Sequence, residues 1–172
     1  MKTVPMFVHA ITLDRDSNSP ILILKDGSGT RTLAIWIGLL EATAIATELE
    51  SLEFARPMTH DLALNLLEAA GARIARIVVN DLKENTYHAE VILEKDGEFM
   101  AVDARPSDAV ALALRAEADI LVNEEVLEKA QPFEERTAKE PVIMQGDRKE
   151  QDQEKWNKIL EELDPDAFKY KM

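Results

Sequence analysis

The sequence predicts an α+β fold, a mixed and mostly antiparallel sheet built from two β-β-β-α units with helices packed on it. Three observations lead there. Short β-branched runs of strand length are separated by turn residues. Each set of three such runs gives way to apolar residues at helical spacing. The pattern then repeats: Asp14 matches Asp81 and Glu41 matches Asp108, both at an offset of 67 residues. A duplicated unit of this kind implies a pseudo-twofold sheet with helices covering one apolar face.

In the first unit, Phe7 to Leu13, Ile21 to Leu24 and Thr32 to Ile37 are the strands, divided by Ser17-Asn18-Ser19-Pro20 and Asp26-Gly27-Ser28-Gly29. Leu39, Ala42, Ile45, Ala46, Leu49 and Leu52 mark a helix. A second helix, about Thr59 to Ala70, is expected to bury Leu62, Leu66 and Leu67 and to stop at Gly71. In the second unit the strands are Ile74 to Val79, Tyr87 to Leu93 and Phe99 to Val102, followed by a helix from Ser107 to Arg115. Ile120 to Val122 adds a short strand, and Asn123 is expected to cap a helix through Leu127. These elements make one domain over residues 1–130. Residues 131–155 are polar, contain Pro132 and Pro141, and read as a linker. Residues 156–172 form an amphipathic helix and tail, with Trp156, Ile159, Leu160 and Leu163 on one stripe.

Composition narrows the function. With 46% hydrophobic and 31% charged residues in 172, the chain has the make-up of a globular domain with its own core. It has no cysteine, which removes disulfides, thiolate metal sites and a cysteine nucleophile. No apolar stretch reaches the ~18 residues of a membrane span. The start lacks the apolar core of a signal peptide, so the expectation is a cytoplasmic protein. Net charge is −13: residues 1–118 hold 11 Lys/Arg against 18 Asp/Glu, and residues 119–172 hold 9 against 15. Nucleic acid is therefore a possible partner that the overall field disfavours, because phosphate neutralisation needs clustered Lys and Arg.

Two polar clusters open helices, where unpaired backbone N–H groups favour anions. One is Arg56-Pro57-Met58-Thr59-His60-Asp61; the other is Asp103-Ala104-Arg105-Pro106-Ser107-Asp108. Asp81, Asp103 and Asp108 sit at strand ends or a helix start. If they converge, they suit a hard divalent cation, Mg²⁺ or Mn²⁺, held by oxygen ligands. The alternative is structural: Asp108 complements the helix dipole, Asp103 pairs with Arg105, and Asp81 starts a turn. His60, beside Asp61, has the chemistry of a general base, or of an exposed first-turn residue. His9 and His88 fall in strand patterns and read as structural. Thr59 and Ser107 read as N-caps, each contributing ~1 kcal/mol. There is no Gly-x-Ser-x-Gly, Gly-x-Gly-x-x-Gly, Walker loop or His-Glu-x-x-His, so serine hydrolase, dinucleotide and nucleoside-triphosphate chemistry have no motif.

Several of these segments together resemble the bifunctional nuclease domain family. They are Leu33-Ala34-Ile35-Trp36-Ile37-Gly38, Arg56 to Leu62, Val78-Val79-Asn80-Asp81-Leu82 with Thr86-Tyr87-His88-Ala89, and Asp103 to Ala109. The ending Leu163 to Met172 is similar to bacterial members. The likeness runs in order over residues 4 to about 130 and the tail. It implies a compact α/β domain that forms a homodimer or larger homo-oligomer, and nuclease activity on DNA and RNA. Joined to the residues, this gives a metal-assisted phosphodiester hydrolase: Asp81, Asp103 and Asp108 as cation ligands, Arg56 and Arg105 on phosphate, His60 as base. The rival is a non-enzymatic oligomeric module that binds a small anion or a protein partner.

Overall fold

The computed structural model describes residues 2–133 together with 139, 141, 143 and 144. Strands β1 (Thr3–Leu13), β2 (Pro20–Asp26) and β3 (Thr32–Trp36) form an antiparallel meander, followed by helices α1 (Leu39–Leu49) and α2 (Thr59–Ala69). Strands β4 (Arg73–Lys83), β5 (Thr86–Lys95) and β6 (Glu98–Ala104) form a second meander, followed by helix α3 (Pro106–Arg115). Then come strand β7 (Asp119–Asn123), helix α4 (Glu124–Lys129) and the two-residue strand β8 (Ile143–Met144).

The turns explain why the chain reverses where it does. The Asp14 carboxylate accepts the N–H groups of Asp16 and Ser17 at 3.1 and 2.8 Å, closing the β1–β2 turn. The β4–β5 turn places Glu84 and Asn85 at φ 47° and 62°, and the β5–β6 turn places Asp96 and Gly97 at 52° and 82°. Two successive left-handed residues are what a tight hairpin needs to match strand twist.

Strand order is β3-β2-β1-β7-β4-β5-β6, with β8 beside β1. Among the described pairs only β4–β7 is parallel. The two β-β-β-α units thus lie on either side of β7. Ile11, Leu22, Leu24 and Leu33 from one unit join Ile77, Val79, Ala89 and Val91 from the other in one core under α1 and α3. Fully burying each Leu or Ile contributes about 1.5–3 kcal/mol. Ala42, Ala46, Ala109 and Ala113 are all essentially buried, and their small side chains let α1 and α3 pack closely. On the opposite face Ile21, Ile23 and Ala34 are buried against Phe133.

Four features differ from the sequence reading. Helix α2 packs on the core through Leu64 and Leu67, while Leu62 and Leu66 stay 51% and 62% exposed. Its leucines fall on more than one side of the helix, so their spacing alone did not choose the inward face. The helix caps are Met58 and Arg105, not Thr59 and Ser107, which sit inside the first turns; Pro106 takes the first helical position, where its missing N–H costs nothing. Strand β6, though apolar, is an exposed edge. Within 131–155, Lys139 donates its N–H to Leu13 at 2.8 Å, and β8 pairs with Ala10 and Ile11. Lys139, Ile143 and Met144 thus lie against the sheet. The C-terminal helix over 156–172 lies outside the described residues.

Candidate active site at the paired helix starts

Strands β3 and β6 are the two ends of the strand order, yet Arg105, which follows β6, reaches Glu41, which follows β3. Each edge strand feeds directly into a helix. Gly38 caps α1 and Arg105 caps α3, both with extended backbone. Three residues on, Glu41 and Asp108 occupy matching positions in the first turns. The duplication seen at an offset of 67 is therefore a pair of equivalent strand-to-helix junctions facing each other.

Arg105 ties them together. Its Nε–H donates to Asp108 Oδ2 at 2.6 Å, and its Nη1 pairs with Glu41 at 2.8 Å. The other Asp108 oxygen lies 3.3 Å from His60 Nε2, at the start of α2. A continuous polar chain, Glu41–Arg105–Asp108–His60, thus links the first turns of three helices. Glu41 is 11% exposed, His60 18% and Arg105 59%, so the chain runs from a sheltered carboxylate to an open guanidinium. Burial alone raises the Asp108 carboxyl, but hydrogen bonds from Arg105 and His60 outweigh it and hold it below the usual carboxylate range. An ionised carboxylate only accepts. His60 Nε2 must therefore carry a proton in this contact, and whenever the ring is neutral Nδ1 is the acceptor.

A second brace stands behind the first. Arg115, on the last turn of α3 and 7% exposed, donates to Asp61 at 2.6 Å and to the carbonyls of Ala44 and Ala111 at 2.9 Å each. Asp61 also accepts the Met58 N–H at 2.7 Å. Burial raises the Asp61 carboxyl, and the hydrogen bonds from Arg115 and the Met58 N–H, with the Arg115 charge, more than reverse this. Asp61 is thus structural: it fixes α2 so that its neighbour His60 meets Asp108.

The other sequence candidates lie apart. Asp81 accepts the Leu82 N–H at 2.8 Å and pairs with Lys83 at 2.8 Å and Lys129 at 3.5 Å. The Lys83 hydrogen bond leads in lowering its pKa to about 2. Asp103 is exposed on β6 opposite Glu90 of β5, and among the described residues the ion pairs of Arg105 run to Asp108 and Glu41 rather than to it. Arg56 is exposed in the segment before α2. Among the described residues no three His, Asp or Glu side chains are placed to hold one metal ion. Asp81, Asp103 and Asp108 do not fit a shared cation cage, since Asp81 and Asp108 already answer to separate cationic partners.

Arg105 also borders a cleft of about 860 Å³. Trp36, Gly38 and Glu41 line one side; Tyr87, Ser107, Lys129 and Phe133 line others. Neither His60 nor Asp108 is among its walls. Sequence reasoning missed Glu41, Arg115, Trp36 and Tyr87 as parts of this region. For Glu41 a signal existed, because it is the repeat partner of Asp108. An Arg115 side chain folded back along its own helix leaves no sequence mark.

Among the described residues no helix is long and apolar enough to cross a membrane. A model of the bifunctional nuclease domain matches residues 22–135. An uncharacterized protein of Mycobacterium tuberculosis (strain H37Rv) is 38% identical over 162 residues, spanning 94% of this chain and 96% of that one. Bifunctional nuclease 2 of Oryza sativa subsp. japonica is 27% identical over 108 residues, 60% of this chain but 33% of its own. Bifunctional nuclease 1 of Arabidopsis thaliana is 28% identical over a segment of the same length and the same shares. The matched segment holds both helix starts and the whole Glu41–Arg105–Asp108–His60 chain, and the protein belongs to the bifunctional nuclease domain family.

Proposed function

We propose that the protein hydrolyses phosphodiester bonds in DNA and RNA, with His60 as base, Asp108 orienting it and Arg105 on the phosphate. The observation that carries this reading is the Arg105–Asp108–His60 chain, which fixes one imidazole tautomer beside a guanidinium. His60 Nδ1 takes a proton from water as its oxygen bonds to phosphorus and the ester oxygen leaves with the electron pair of the broken bond. Arg105 supplies planar donors that match phosphate oxygens and offsets the charge that builds on them. Mg²⁺ or Mn²⁺ enters the proposal as a companion of the substrate, because Mg²⁺ is commonly held by one or two carboxylates plus phosphate oxygens and water.

The test is Arg105→Lys. The charge stays, but one ammonium replaces a fork that spans Glu41 and Asp108. The expected result is a nuclease rate lower by about tenfold or more, with stability changed by about 1 kcal/mol or less because the guanidinium is largely exposed. An unchanged rate, or a large loss of stability, counts against the phosphate role.

We also propose that the chain forms at least a homodimer. Met100 and Val102 on β6 are each 47% exposed on an edge strand that carries no Pro, Lys or bulge, features that usually blunt such edges. Met100→Lys with Val102→Lys should turn a dimer into a monomer by light scattering at micromolar concentration. A parent protein that is already monomeric there would sink the proposal.

A further inference from the structure

We infer that the cleft beside Arg105 is a binding site for a nucleoside monophosphate, with the phosphate at the start of α3 and the base against the aromatic walls. This does not depend on hydrolysis at His60, which lies outside the cleft.

The phosphate end rests on two independent features. No side chain caps α3, and Pro106 has no N–H, so the first turn offers the N–H groups of Ser107 and Asp108 without an intrahelical partner. Ser107 is only 6% exposed and lines the cleft, and its side chain makes no hydrogen bond to another described residue. Its hydroxyl opens on the cleft rather than into the core, so its donor is available there to a ligand acceptor. Lys129 lines the same cleft and adds positive charge.

The base end rests on the walls. Trp36, Tyr87 and Phe133 line one cavity whose volume of about 860 Å³ suits a ligand of nucleotide size. Trp36 is 53% exposed, an apolar surface without a cover. Ring stacking is tolerant of base identity, so the site is expected to prefer nucleotides over sugars without preferring one base strongly.

Two carboxylates also line the cleft, and they shape the prediction. Asp14 is turned into its own loop, accepting from Ser17. Glu41 faces Arg105, and its carboxylate lies over Gly38, where an added Cβ would collide with it. Glu41 therefore neutralises Arg105 and repels an incoming phosphate. Removing its charge should tighten binding, whereas removing the Ser107 hydroxyl should weaken it.

The experiment is calorimetric titration of the full chain with adenosine monophosphate, adenosine and inorganic phosphate. Adenosine monophosphate should bind more tightly than either fragment. Ser107→Ala should weaken it about tenfold, the usual effect of losing one hydrogen bond to a charged group. Glu41→Gln should strengthen it. Ser107→Ala should remain folded by circular dichroism, since alanine suits the first turn. Equal binding of adenosine would remove the phosphate role, and equal binding of inorganic phosphate would remove the aromatic one; either overturns the assignment. So would an absence of binding at millimolar nucleotide, or an unchanged affinity in both variants.

Discussion

Replacing Arg115 by methionine is expected to destabilise the fold by about 2 kcal/mol, the order of a lost hydrogen bond to a charged group, because the Asp61 carboxylate it leaves is 34% exposed and partly solvated. At roughly 2–4 °C per kcal/mol for a chain of this size, the melting temperature should fall by about 4–8 °C. The side chain is 7% exposed and donates to one carboxylate and two carbonyls. Methionine fills the volume but leaves Asp61 and both carbonyls without those donors. The effect also carries a pH signature. The folded Asp61 carboxyl sits below its usual range, so the stability it contributes is present above the unfolded value and disappears as pH falls through the lower folded one. In Arg115→Met that part of the acid-side loss should shrink, because the unpaired carboxyl no longer gains from folding. Thermal melts at neutral and acid pH check both statements. A variant that melts together with the parent would show that the brace contributes little.

How far the sequence could be read depended on whether a residue acts locally or across the fold. The hairpins were visible because Ser17-Asn18 and Asp26-Gly27 announce themselves through backbone chemistry confined to a few residues. The duplication was visible because two junctions carry acids at one offset, and the structure gives it a meaning: Gly38 and Arg105 are both caps, Glu41 and Asp108 both third residues. The convergence of Asp108 with His60 needed α2 to cross α3, and nothing in either segment states that. The expected gathering of Asp81, Asp103 and Asp108 failed for the same reason in reverse. Strand ends look alike in sequence, but Asp81 belongs with Lys83 and Lys129, and Asp103 lies on an edge. The inward face of α2 was misjudged because Leu62, Leu64, Leu66 and Leu67 spread over more than one side of the helix, so leucine spacing alone does not select the face of Leu64 and Leu67.

Of the expected losses of activity, that of His60→Ala is the largest. A positioned general base contributes about 100- to 10,000-fold, so cleavage of DNA and RNA should fall by that order. Folding should survive, because His60 makes one 3.3 Å contact with Asp108 and does not join the core. His60→Gln sharpens the test: its amide can still donate to Asp108, but it cannot take a proton at neutral pH. It should therefore keep the parent's melting temperature and lack the parent's activity, which separates base chemistry from bracing. Asp108→Asn asks the next question. An amide in place of the carboxylate no longer requires Nε2–H on His60, so the ring can turn its lone pair toward that amide and away from water. A rate loss of the same order as in His60→Ala, with binding of substrate retained, is the expected outcome. If His60→Gln cleaves nucleic acid as the parent does, the base lies elsewhere and the Arg105–Asp108–His60 chain is only a clasp between helix starts.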